Sequence, residues 1–351
     1  MRTDLIKTAQ HWNEQGTRVH AGTGGMAWWD AGPEVQRHVN KRITGDPNLG
    51  WVNYTLTNHF QPNLGSILVL GCGTGELERS LASLVSFEHC DAYDIAQRSV
   101  ARAREEAGAR GLYNIEYHVE DVNRITLPPR AYDAVWVHMA LHHFHALEHI
   151  CREIGCALNR GGRLVLQEYV GPNRFQFPER QKELANACLR LLPSRYRRVP
   201  AAAVEQRTQS SSTRGMRWLA SRMADKAVEG DLIPALRRQL SAQWSRLTGR
   251  PLEKTRVVFP TPSSVVSVDP SEAIRSAEIV QIVEQHFDVV ERKDWGGNIL
   301  QFLLKDIAGN FASGGDEGQA FLKMLISIEE TLLDSGEFDS DFAYIVASPR
   351  H

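Results

Sequence analysis

Residues 67 to 78, ILVLGCGTGELE, constrain this chain more than any other stretch, because an apolar run of strand length breaks into three glycines at alternate positions and then into helix-favouring residues. The pattern is strand, tight turn, helix. Ile67 to Leu70 are apolar without interruption, as in a strand covered on both faces of a parallel sheet. Gly71, Gly73 and Gly75 permit a sharp turn and let the backbone come closer to a ligand than a side chain would allow. Tight strand-to-helix turns also serve packing alone, so the neighbouring residues decide between the two uses.

The next strand is expected over His89 to Tyr93. It ends at Asp94, about twenty residues beyond the glycine turn, where a doubly wound nucleotide fold places a ribose-binding carboxylate. Dinucleotide sites seat a pyrophosphate with G-x-G-x-x-G. Here the spacing is G-x-G-x-G, and acidic Glu76 and Glu78 open the helix. Carboxylates at a helix start stabilise the helix but repel a phosphate. The expected ligand therefore carries an adenosine-like ribose without a phosphate at the turn.

These residues resemble the class I S-adenosylmethionine-dependent methyltransferases, whose first motif is similar to VLGCGTG at 69 to 75, with Asp94 in the acidic position. The likeness continues through Glu120-Asp121, AYDAVWVHMALHHF and LNRGGRLVLQEYVGP in the expected order. It implies that the cofactor is S-adenosyl-L-methionine. The turn, with Gly71, Cys72, Gly73 and Gly75, approaches its methionine part. Asp94 with Ile95 holds the ribose, Asp121 with Val122 borders the adenine, and the residues around His138 line the inner side. Asp121 has an alternative role as cap of the following turn.

The alternation of apolar strands and amphipathic helices predicts strands at 67 to 70, 89 to 93, 115 to 119, 133 to 138 and 163 to 168. The implied fold is α/β: a doubly wound Rossmann-like, mostly parallel sheet with an antiparallel edge strand, an N-terminal helical cap and a helical insertion after the fifth strand. Residues 1–62 form the cap, with helices around Leu5 to Gln15 and Pro33 to Ile43. Residues 63–172 and 266–351 form the cofactor-binding core, and 173–265 the insertion. Asp269-Pro-Ser-Glu reads as a helix start leading into AIRSAEIVQIVEQHF, followed by a strand in FDVVERKDW and a last strand over 342 to 348. Helical stretches are expected over Ile299 to Phe311 and Gln319 to Leu333.

Charge is uneven. The chain's formal charge is −2 over 351 residues, which gives no general attraction to nucleic acid or membrane. Residues 174 to 256 hold 18 Lys or Arg against 7 Asp or Glu. The insertion is expected to be a basic cap that steers an anionic acceptor, or else a solvated helical face. Its aromatics are too few for stacking on RNA bases. Five cysteines without a CxxC pair, no apolar signal core near the start and no membrane-length apolar run favour the cytoplasm. Aromatics at Trp28, Trp29, Trp51, Tyr54 and Phe60 either dock the N-terminal helices or place one indole against the sulfonium.

His138, His142, His143, His145 and His149 have no acidic or cysteine neighbour at a recognised ligand spacing, so no metal is expected. His142 or His143 is instead the candidate general base for a hydroxyl acceptor, with Glu168 facing it from the end of the fifth strand. Glu168 serves equally well as a backbone hydrogen-bond acceptor. The expected activity is methyl transfer, most readily to oxygen, on a small anionic molecule such as a glycan or natural-product intermediate. The rivals are a nicotinamide oxidoreductase and a non-catalytic binding module.

Overall fold

Successive side chains of the central strands enter two different cores, which is what places helices on both faces of the sheet. In β1 (Asn63–Leu70) Ile67 and Val69 join one core while Leu68 and Leu70 join the other. In β4 (Tyr132–His138) Ala134 and Trp136 divide from Val135 and Val137 in the same way. A continuous apolar run is therefore the sequence of a strand with no solvent face. The structure, a computed structural model, describes residues 4, 7–13, 32–199 and 252–350.

The remaining strands of the main sheet are β2 (Ser86–Asp94), β3 (Ile115–Val119), β5 (Leu158–Tyr169), β6 (Phe287–Gly296) and β7 (Phe342–Pro349). They form a seven-stranded sheet in the order β3-β2-β1-β4-β5-β7-β6. The first five are parallel, and β7 lies antiparallel between β5 and β6. Strand order reverses between β1 and β4, the place where open α/β sheets bind ligands.

Helix α1 (Pro33–Thr44) buries Val35, Val39 and Ile43, a four-residue repeat that puts them on one stripe, and stops at left-handed Gly45. Helix α2 (Trp51–His59) follows. Trp51 packs on Trp136 at 5.9 Å and Phe60 on the same indole at 5.8 Å, so these aromatics dock the N-terminal helices on the core. Helices α3 (Glu76–Leu84) and α4 (Gln97–Ala109) share that face, while α5 (Leu147–Ala157) and α7 (Ile279–His286) cover the other. Between them in sequence, α6 (Glu179–Leu191) buries Ala185, Cys188 and Leu189 in the first core beside Phe302 and Leu303. Helix α8 (Gly315–Asp334) turns its buried Glu329 to accept the backbone N–H groups of Gly297, Ile299 and Leu300.

The expected strands all form. Asp269 does not start a helix: it ends the helix Pro262–Val268, which is capped by Thr261, and the next long helix waits until Ile279. The Asp269 carboxylate, read as a helix cap, instead accepts four hydrogen bonds around a turn. Trp28, Trp29 and residues 200–251 of the expected insertion lie outside the described residues.

Candidate functional site

At the carboxyl end of β1 the Gly71 and Cys72 N–H groups donate to the Tyr93 carbonyl at 2.8 and 3.0 Å, tying the turn to β2. Gly71, Gly73 and Gly75 have φ of 76°, 53° and 76°, a region that costs any residue with a Cβ. A Cβ on Gly71 would stand 2.3 Å from the Ala140 Cβ, and one on Gly75 would stand 2.6 Å from Tyr117 Oη. Both glycines are demanded by packing. Gly73 differs, having no atom within 4 Å of its absent Cβ, and is the glycine with room for a ligand. Asp94 orients the turn: one oxygen accepts Gly73 N–H at 2.9 Å and the other Ala96 N–H at 2.7 Å. Burial pushes its carboxyl up against the pull of these N–H groups. Each oxygen keeps a second lone pair.

A cavity of about 640 Å³ opens here, walled on one side by Gly71, Gly73, Asp94, Ile95, Asp121 and Val122. Cys72 is turned into the core, Gly75 is packed behind the turn, and His138 lies at the end of β4 with its ring 5.3 Å from Trp51. These three stand outside the cavity wall. Asp121 does cap the next turn, through Oδ1 to the Asn123 N–H at 3.1 Å. Its buried Oδ2 has no hydrogen-bond partner among the described residues, which leaves an acceptor for a ligand's N–H.

A histidine corner lines the same cavity beside the turn. Met139, at φ 52°, breaks β4, and the following Ala140 and Leu141 N–H groups donate to Glu168 Oε2 at 2.9 and 2.6 Å. Glu168 Oε1 accepts Tyr169 N–H at 2.8 Å and the Nδ1–H of His142. His142 Nε2 lies 3.5 Å from Glu272 Oε1. Against burial, the two carboxylates hold the buried His142 up to about 10. His143 alone of this pair lines the cavity. Burial, and then the charge of His142, push it down to about 4. Its Nδ1 lies 3.0 Å from Ser271 Oγ, whose hydroxyl donates to Asp269 at 2.7 Å. His145 also lines the cavity, whereas His149 bonds the Ile125 carbonyl at 2.8 Å.

Asp269 is the organising residue that the sequence reading missed. It accepts from the Thr8 hydroxyl at 2.9 Å and the Trp12 indole at 3.0 Å, so residues 7–13 are held over the cavity. Trp12 meets His143 edge-on at 5.1 Å. Arg174, at φ 54°, donates to the Glu272 and Pro270 carbonyls, both at 2.7 Å, and adds a cation to the wall. No local motif marks Thr8, Trp12 or Arg174, since tertiary packing brings them in.

The sheet order, the glycine turn and the carboxylate at the end of β2 are the arrangement that the resemblance to the class I methyltransferases implies. Residues 67–162 match the family described as a methyltransferase domain. The chain is 29% identical over 110 residues to a malonyl-[acyl-carrier protein] O-methyltransferase of Bacillus cereus, covering 31% of this chain and 39% of that protein. It is 28% identical over 139 residues to a demethylmenaquinone methyltransferase of Thermus thermophilus, covering 40% and 63%. The matches thus span less than two thirds of these relatives' own lengths. Among solved structures, phosphoethanolamine N-methyltransferase 2 of Haemonchus contortus in complex with S-adenosyl-L-methionine superposes with a TM-score of 0.45 at 15% identity, over 92% of this chain and 58% of that one.

Proposed function

We propose that the protein methylates an oxygen of a small, anionic acceptor, a glycan or natural-product intermediate, with S-adenosyl-L-methionine as donor. One observation carries the reading: a single cavity has the Asp94 glycine turn on one wall and His143 with Arg174 on the other. The cofactor fits the first wall on three counts. Gly73 leaves space, Asp94 has lone pairs for two ribose hydroxyls, and Asp121 keeps an unpartnered oxygen for the adenine amine. Val122 would border the ring, Ile95 the ribose, and Met139 and Ala140 the inner side.

When bound, the cofactor supplies a methyl group already activated by the sulfonium. The chain's own task is alignment and exclusion of water. Trp12, tethered through Asp269, covers the acceptor end. His143 donates Nδ1–H to Ser271, which leaves Nε2 as acceptor for the hydroxyl proton. His142 is an imidazolium clamped by Glu168 and positions the corner. Arg174 supports the anionic character of the acceptor, held in place by its two carbonyl partners. In this reading 63–172 and 266–351 are the core, 173–265 the acceptor-side insertion and 1–62 the cap. All five cysteines are free and no described helix is long and apolar enough to cross a membrane, which supports a cytoplasmic location.

The test is release of S-adenosylhomocysteine from the cofactor in the presence of carboxylated phenols and hydroxy acids. Acceptor-dependent release from the wild type and its loss in His143→Ala are expected. Cofactor binding without release for any acceptor would leave a non-catalytic binding module.

A further inference from the structure

We infer that His142, His143 and Glu272 bind one first-row divalent metal ion at the acceptor end of the cavity. The ligand atoms of these three residues all lie within 4.8 Å of one another. The His142 Nε2 to Glu272 Oε1 separation of 3.5 Å is longer than a good charged hydrogen bond. It matches the edge of a tetrahedron with metal–ligand bonds of about 2.1 Å, which is roughly 3.4 Å.

The surroundings are those of a ligand set. Metal-bound histidines use the far ring nitrogen to bond a carboxylate or its relay. His142 does so to Glu168, which three backbone N–H groups fix in place. His143 does so to Ser271, which is itself bonded to Asp269. Both rings are thus oriented before any ion arrives. Three carboxylates, Glu168, Asp269 and Glu272, converge on this recessed corner. The basic groups facing it are His142, whose Nε2 proton the ion would displace, Arg174 bonded to the carbonyls of Pro270 and Glu272, and His11. A divalent ion at this point would offset the negative charge. Glu272 comes from 129 residues beyond His143 along the chain, which is why local spacing offered no acidic partner.

Two imidazoles and one carboxylate suit zinc, iron, cobalt or nickel better than magnesium or calcium. Because His143 borders the cavity, open coordination positions would face the acceptor. The class of acceptor this adds is one with a hydroxyl or enol oxygen placed to bind the ion. The ion would lower that oxygen's pKa and release its proton to water. This last point rests on the methyltransferase reading; the metal site itself does not. Metal occupancy would take over the proton-accepting task otherwise given to His143.

The experiment uses the full chain, treated with a chelator and then titrated with Co²⁺ and with Zn²⁺. The expected result is one equivalent bound, a visible Co²⁺ spectrum of low-symmetry nitrogen and oxygen ligation, and an upward shift of the thermal midpoint with Zn²⁺. Glu272→Gln should weaken binding at least 10-fold with unchanged circular dichroism. Should that variant fail to fold, Ser271→Ala, which loosens only the His143 orienter, should weaken it by about 10- to 100-fold. No saturable binding to the wild type would overturn the site, as would binding unaffected in the folded variants. Calorimetry of S-adenosylhomocysteine on the same chelated protein separates the two claims. Cofactor binding without metal sinks only the metal site, and metal without cofactor binding sinks only the methyltransferase reading.

Discussion

The two walls of the cavity are built differently. The glycine wall draws Gly71, Gly73, Asp94 and Asp121 from 51 consecutive residues, and its bonds run mainly between a carboxylate and backbone N–H groups. The histidine wall joins Thr8, Trp12, His143, Glu168, Asp269 and Glu272, separated by up to 264 positions, through side chains. A wall made of turn backbone needs particular residues at fixed spacing. A wall made of convergent side chains needs only a fold that delivers them. Under the proposed function the first would hold a cofactor common to many enzymes, and the second would meet the individual acceptor.

If the walls divide the work in this way, substitutions should separate them. The largest effect is expected for His143→Ala, a loss of about 10²- to 10⁴-fold in turnover with S-adenosylhomocysteine affinity unchanged by calorimetry. Equal loss of both quantities would break the division. Glu168→Gln should instead unfold the corner, because its three backbone donors and His142 require a carboxylate. Asp94→Ala should weaken the cofactor by roughly 1.5 to 3 kcal/mol, about 10- to 150-fold, the scale of lost charge-assisted hydrogen bonds.

Glu78 gives the glycine wall a pH response of its own. It lies fully buried under the turn with neither oxygen partnered among the described residues, and burial holds it up to about 8 despite Arg79 beside it. A raised carboxyl binds more protons in the folded state. Its contribution to stability is therefore complete below the ordinary value of 4.5 and fades as pH rises through about 8. Glu78→Gln should flatten the thermal midpoint across that window and raise it on the order of a few degrees at the alkaline end. A wild-type midpoint that rises with pH there would contradict the sign. The smallest effect belongs to Arg195, exposed, paired with Glu317 and part of neither wall. Arg195→Ala should shift stability by less than about 1 kcal/mol and leave both binding constants unchanged.

How much was legible in the sequence follows the same division. All five parallel strands and both antiparallel ones were readable, since apolar runs and period-two burial leave a strong trace. The glycine turn and Asp94 were readable from spacing, and Asp121 only through the family resemblance. Gly75 and Cys72 look like ligand contacts in sequence yet face Tyr117 and the core. A glycine required by a neighbouring side chain is spelled like one required by a ligand. Asp269 was readable only as a helix cap, because the partners that claim its oxygens, Thr8 and Trp12, are over 250 positions away. Among the described tryptophans Trp12, not Trp51, lines the cavity, for the same reason.

The central claim is that the glycine wall binds S-adenosylmethionine. Isothermal titration of the protein with S-adenosylmethionine, S-adenosylhomocysteine and NAD tests it directly. Saturable binding of the first two, lost in part by Asp94→Ala, with NAD far weaker, is the predicted result. NAD binding tighter than S-adenosylmethionine would contradict the account, because it would mean that a turn followed directly by Glu76 seats a pyrophosphate after all.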